Sequence, residues 1–204
     1  MSDLHNIREL VQLQPDFIGF IFYPKSKRFI GENIPDEYHS LIPDSVIKVG
    51  VFVDEPFESL VGKYKRSKLD FVQLHGNELP EYCNGLSKMN IPVIKAFPIS
   101  GTFDFASLNR YETGCNYFLF DTASDLRGGS GLKFDWEILH KYTGSIPFFL
   151  SGGIQHNDIE SIKSVVHNKL FAIDVNSGFE ISPGLKDISK LNSFIRRLRG
   201  QEDL

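Results

Sequence analysis

Asp121 has the setting that points most directly to chemistry. It closes an apolar run, YFLFD at 117–121, and is followed by TASDLRGGSGLKFDW, a loop richer in glycine than a plain connector needs. A carboxylate half-buried at a strand end has its pKa raised by desolvation and can serve as a general acid or base. The same side chain could instead cap the loop by accepting hydrogen bonds from backbone amides.

Two glycine turns come next. SGG at 151–153 and NSG at 176–178 end the last two apolar runs. Small residues there let backbone N–H groups approach an anion, which makes Gly152, Gly153, Ser177 and Gly178 candidate phosphate-binding residues. Glycine is also the ordinary turn residue, so one such turn alone would mean little. YPKSKR at 23–28 is a local basic cluster in which Lys25 and Lys27 read as solvated, while the planar fork of Arg28 suits a carboxylate or a phosphate. In QLHG at 73–76, Gln73 and His75 alternate and so share one face of a strand end, where His75 could be a site residue or a structural hydrogen-bonding group.

Other chemistries find no support. No serine or cysteine stands at nucleophile spacing from a histidine, the histidines show no metal-ligand pattern, and neither a dinucleotide fingerprint nor a P-loop is present; no cofactor or metal is expected. A net charge of −4 and a pI near 5.9 argue against nucleic acid or an anionic membrane as the main partner. No apolar run approaches the roughly 20 residues of a membrane span, and Asp3, His5 and Arg8 interrupt any signal-peptide pattern. Cys83 and Cys115 read as buried small apolar residues of a reducing cytoplasm.

The elements that must position these groups follow a simple alternation. Short apolar runs occur at 17–22 (FIGFIF), 46–53, 71–74, 92–97, 117–121, 147–153 and 170–178, and several end in, or are followed at once by, Gly, Asp or His. Such runs fit strands buried on both faces, as in a parallel sheet. Amphipathic segments lie between them: PFESLVGKYKRSK, LPEYCNGLSKMN, FDFASLNRY, FDWEILHKY, NDIESIKSVV and KDISKLNSFIRRLR, with a weaker one at 35–41. The chain opens on a helix, MSDLHNIREL, with Ser2 and Asp3 as N-cap residues. Seven strands and about eight helices in strict alternation predict a doubly wound sheet or a (β/α)8 barrel, as a single α/β domain over 1–204 with a frayed tail from 199.

GFIFYPKSKR, VGVFV, VQLHG, FDTASDLRGGSGLKFDW, LSGGI and AIDVNSGFEISPGLKD together resemble the phosphoribosylanthranilate isomerases, in the family's order and spacing from about Asp3 to Arg199. The resemblance implies a TIM barrel that needs no cofactor and carries out the Amadori rearrangement of N-(5-phosphoribosyl)anthranilate to 1-(2-carboxyphenylamino)-1-deoxyribulose 5-phosphate in tryptophan biosynthesis. It implies Asp121 as general acid, Arg28 as the substrate-positioning arginine, His75 and Asp174 on the anthranilate side, and Gly152, Gly153, Ser177 and Gly178 at the phosphate. Asn176 stands where the family often has serine.

Family members begin with a strand carrying a cysteine that acts as general base, followed by a segment like MSDLHNIREL. By that likeness the barrel's first strand and its base would lie just ahead of Met1, through a start assigned at an internal methionine or a natural truncation. The expectation is weakened activity, by about 10²- to 10⁴-fold for a lost base, and a monomer or a homodimer joined through unpaired edges near FIGFIF and LFAIDV. Two rival readings are a non-catalytic barrel that binds a phosphoribosyl ligand and another phosphate-binding lyase or synthase. The latter would use a strand lysine such as Lys48 or Lys95 as its base.

Overall fold

A computed structural model describes residues 3–122, 135–165 and 167–201. The glycine-rich part of the loop after Asp121, read above as TASDLRGGSG, falls outside them except for Thr122. Seven strands form one parallel sheet in sequential order: β1 (Phe17–Ile21), β2 (Ile47–Phe52), β3 (Phe71–Leu74), β4 (Val93–Ile99), β5 (Tyr117–Thr122), β6 (Phe148–Leu150) and β7 (Leu170–Ile173). Each lies within one of the seven apolar runs or extends it by two residues at most.

The sheet curls. Val49, Ile94, Ala96, Leu119 and Phe149 point into its concave side and pack as one buried cluster. The alternate residues, among them Phe52, Val72, Leu74, Phe118, Phe120 and Phe148, face outward into a larger core beneath the helices. This two-sided burial explains why the strands read as continuous apolar runs rather than alternating ones. Phe17 on β1 meets Phe149 on β6 at 5.2 Å and Phe171 on β7 at 6.1 Å, so the curl brings the first and last strands face to face across a floor of aromatic rings. Among the described residues no ladder joins β7 to β1. The result is the TIM-barrel type of architecture with seven parallel strands.

The helices are α1 (Leu4–Gln12), α2 (Asp36–His39), α3 (Phe57–Arg66), α4 (Pro80–Lys88), α5 (Ile159–Ser164) and α6 (Ile188–Leu198). α1 starts because the Asp3 carboxylate accepts from Asn6 N at 2.7 Å. Two segments expected as α-helices, FDFASLNRY and FDWEILHKY, are 3₁₀ at Phe105–Tyr111 and Trp136–Lys141, with Asp104 and Asp135 capping their starts. Both are short, and a 3₁₀ turn is a common way to span a brief crossover. None of the described helices is long and apolar enough to cross a membrane.

The stretch FEISPGLKD holds an element absent from the sequence reading: a small antiparallel hairpin of β8 (Glu180–Ser182) and β9 (Leu185–Lys186). Gly184 turns it with φ of +87°. α1 clasps this hairpin. Asn6 donates from Nδ2 to the Lys186 carbonyl at 2.9 Å and accepts from Lys186 N at 2.7 Å. One buried side chain thus satisfies both backbone groups of Lys186, as a neighbouring strand would.

Candidate active site

The carboxyl ends of β3, β5, β6 and β7 bring the expected residues to one end of the barrel. His75 follows β3 and Asp121 lies near the end of β5; His75 Nε2 sits 3.1 Å from Asp121 Oδ2. Gln73 stands behind the imidazole, with its amide Nε2 3.0 Å from His75 Nδ1. The amide N–H is a donor, so Nδ1 accepts and Nε2 carries the proton that Asp121 accepts. Asp121 Oδ1 in turn accepts from Thr122 N at 2.8 Å. Both carboxylate oxygens are therefore held, and the group is partly exposed to the barrel mouth.

The glycine turn after β6 lies against this carboxylate. A Cβ at Gly152 would stand 2.4 Å from Thr122 N and 2.8 Å from Asp121 Oδ1, and Gly152 has φ of +94°. Only glycine fits there on both counts. The second turn meets the first, since a Cβ at Gly178 would reach the Ile154 carbonyl at 2.3 Å. No described residue accepts from the backbone N–H groups of Gly152, Gly153, Ser177 or Gly178. The carbonyls of the second turn are tied away from these N–H groups: Lys190 Nζ donates to Gly178 O at 2.6 Å and Lys186 Nζ to Asn176 O at 3.3 Å.

Asp174 follows β7, and its N donates to Leu150 O at 2.8 Å, continuing the parallel ladder. Ser151 Oγ donates to Asp174 Oδ2 at 3.1 Å. Burial pushes the Asp174 carboxyl above the usual aspartate range, and the charge of Asp121 adds to the rise.

Arg28 reaches across to the hairpin. Its Nε lies 2.8 Å from Glu180 Oε2 and its Nη2 2.6 Å from the same oxygen. Lys186 Nζ donates to Asn176 Oδ1 at 2.7 Å and to Glu180 Oε1 at 3.3 Å. Burial lowers the Lys186 pKa against the pull of Glu180. For Glu180 burial pulls upward, but Arg28 and Lys186 outweigh it and hold the carboxyl low.

The sequence reading named Arg28, His75, Asp121 and Asp174 but missed Ser151, Glu180 and Lys186 as partners. The signal was present for two of them: Glu180 and Lys186 flank a Pro-Gly pair, the mark of a tight hairpin that would bring them together. The strand lysines are engaged elsewhere. Lys95 Nζ pairs with Glu78 at 3.1 Å and donates to Leu74 O, Gly76 O and Ala96 O, on the outward side of β4. Lys48 pairs with Asp70 at 3.1 Å. Neither serves as a base at the barrel mouth.

The profile of the family described as N-(5'-phosphoribosyl)anthranilate (PRA) isomerase matches residues 1–197. The chain belongs to the PRA isomerase family. An N-(5'-phosphoribosyl)anthranilate isomerase of Parabacteroides distasonis is 48% identical over 200 residues, covering 97% of this chain and 90% of the relative. That of Phocaeicola vulgatus is 41% identical over 199 residues, 98% of this chain and 95% of the relative. Among solved structures, the PRA isomerase of Thermotoga maritima superposes with a TM-score of 0.84 at 35% identity, covering 98% of this chain and 96% of that one. A PRA isomerase solved in complex with reduced 1-(o-carboxyphenylamino)-1-deoxyribulose 5-phosphate gives 0.82 at 34% identity, over 98% of this chain and 95% of that one. The seven strands described here are thus laid out as in PRA isomerases.

Proposed function

We propose that this chain isomerises N-(5'-phosphoribosyl)anthranilate to the 1-deoxyribulose 5-phosphate product in tryptophan biosynthesis, with Asp121 as general acid. The observation that carries the reading is the anchored Asp121 carboxylate, held by His75 and Thr122 with Gly152 pressed against it. Asp121, when protonated, gives its proton to the ribose ring oxygen as the C1'–O bond breaks, and the anthranilate nitrogen's lone pair forms the Schiff base. A general base then takes the C2' proton, the C–H electrons form an enolamine, and the enolamine tautomerises to the ketose. His75 keeps Asp121 oriented.

The four backbone N–H groups of Gly152, Gly153, Ser177 and Gly178 hold the phosphate, and Arg28 positions the substrate. His75 and Asp174 line the anthranilate side. The C2' proton does not go to Cys83 or Cys115. Cys83 is buried on α4 and Cys115 just before β5, at the amino end of the strand whose carboxyl end carries Asp121.

The two free thiols support a cytoplasmic setting. The edges of β1 and β7, unpaired among the described residues, support association of copies there, which sedimentation velocity would read. The engagement of Lys48 and Lys95 leaves the lyase or synthase reading without its base. The test of function is loss of phosphoribosylanthranilate fluorescence with formation of the ketose. Turnover that stops when inorganic phosphate saturates the turns supports the account; tight binding of the substrate without turnover favours the non-catalytic reading instead.

A further inference from the structure

Arg28 and Glu180 form a pair that fold stability alone does not account for. Their side chains are 17% and 4% exposed. Replacing a buried ion pair by apolar residues is often neutral or stabilising, so burial of this one is weak evidence for a purely structural role. Its geometry is specific. Glu180 takes the Nε edge of the guanidinium, through Nε and one N–H of Nη2. A guanidinium has five N–H donors. Two go to Glu180, and no described residue engages Nη1, so the edge turned away from the hairpin stays open for an oxyanion.

The carboxylate that aims this fork is itself fixed. Glu180 Oε1 accepts from Gly184 N at 3.2 Å and from Lys186 Nζ at 3.3 Å. Lys186 is held at its backbone by Asn6 of α1 and at its ammonium by Asn176. The Arg28 backbone is held from its own side, its N donating to Ser26 Oγ at 3.1 Å. A chain of contacts therefore runs from a helix, through the hairpin, to one side chain at the barrel mouth. Such supporting shells set how well a site is preorganised.

We propose that Glu180 is a positioning residue, which aims the Arg28 guanidinium so that its free edge meets an oxyanion of the substrate. The inference rests on the role given to Arg28 above and extends it to a residue that does not touch the substrate.

A double-mutant cycle read by binding tests it, with reduced 1-(o-carboxyphenylamino)-1-deoxyribulose 5-phosphate as the probe and Glu160→Gln as a remote control. Arg28→Met is expected to weaken binding roughly 10- to 100-fold. The isosteric Glu180→Gln should weaken it to a similar degree, and the double variant should bind no worse than Arg28→Met, because Glu180 acts only through Arg28. Glu180→Gln binding like the unaltered chain, or losses that multiply in the double variant, would overturn the proposal. Arg28→Met without loss would refute the role of Arg28 and the proposal with it, while an unaltered chain that binds the probe but does not turn over would refute only the isomerase reading. Should Glu180→Gln fail to fold, Arg28→Lys examines the same contact from the other side. Lysine keeps the charge but not the two-pronged bond, so undiminished binding there would also overturn the proposal.

Discussion

His75 Nε2 lies 3.1 Å from Asp121 Oδ2, and Gln73, two residues earlier on the same strand face, donates to the other ring nitrogen at 3.0 Å. The relay sets the imidazole tautomer from behind, so the proton always lies on the side of the acid. Gln73 is buried and Asp121 opens to the barrel mouth. Removing the rear partner frees the ring to take the other tautomer without touching the acid. Gln73→Leu is expected to lower kcat roughly 10- to 100-fold with little change in KM, as for other losses of orientation. Steady-state kinetics with the phosphoribosylanthranilate fluorescence assay reads it; a change confined to KM would contradict the relay.

Gly152 meets two constraints at once, a positive φ and contact with Thr122 N and the Asp121 carboxylate. Gly152→Ala must strain the backbone and push the acid aside. A loss of about 1–3 kcal/mol in stability is expected from the strain, together with a fall in kcat. Urea unfolding and turnover on the same preparation check both, and an alanine variant with unaltered stability would contradict the described turn.

Asp174 carries a pH dependence whose sign can be worked out. Its pKa is raised in the folded protein by burial, so folding favours the protonated form. The associated stability is fully present below the unfolded value, about 4, and is lost as pH rises through the folded value. Asp174→Asn removes that penalty, so it should raise the urea midpoint at pH 7.5, with the gain vanishing near pH 4. It should at the same time weaken substrate binding. A gain that persists at pH 4 would contradict burial as the cause.

Cys83 and Cys115 are both free and buried, away from the carboxyl ends of the strands. Cys83→Ala combined with Cys115→Ala is expected to keep turnover within about 2-fold, at a stability cost of the order expected for small core truncations, roughly 1–2 kcal/mol. A loss of turnover in a folded double variant would show that one of these thiols takes part in the reaction.

The parallel strands were legible because two-sided burial leaves an unmistakable record: FVQL and YFLFD are apolar at nearly every position. Asp121 stood out because a charge ends an otherwise apolar run, whereas Asp174, inside the 170–178 run, was named only through the resemblance to the family. FDFASLNRY and FDWEILHKY carry helical periodicity but too few residues to separate an α-turn from a 3₁₀ one, and the structure chose the latter. The Pro-Gly pair marks a hairpin that brings Glu180 and Lys186 together, but their place beside Arg28 lay hidden for a different reason. Nothing local marks a glutamate as buried; its setting comes from Arg28, 152 residues away, and from Asn6, whose partner is 180 residues distant. Contacts of that range follow from the closing of the barrel, not from any window of sequence.

The central claim is that Asp121 donates the proton that opens the ribose ring. Asp121→Asn tests it most directly, since the amide preserves shape but holds no transferable proton. Turnover should fall by about 10²- to 10⁴-fold, while the variant stays folded and still binds reduced 1-(o-carboxyphenylamino)-1-deoxyribulose 5-phosphate within a few-fold. Turnover of Asp121→Asn close to that of the unaltered chain would contradict the claim and move the acid to another residue at the barrel mouth.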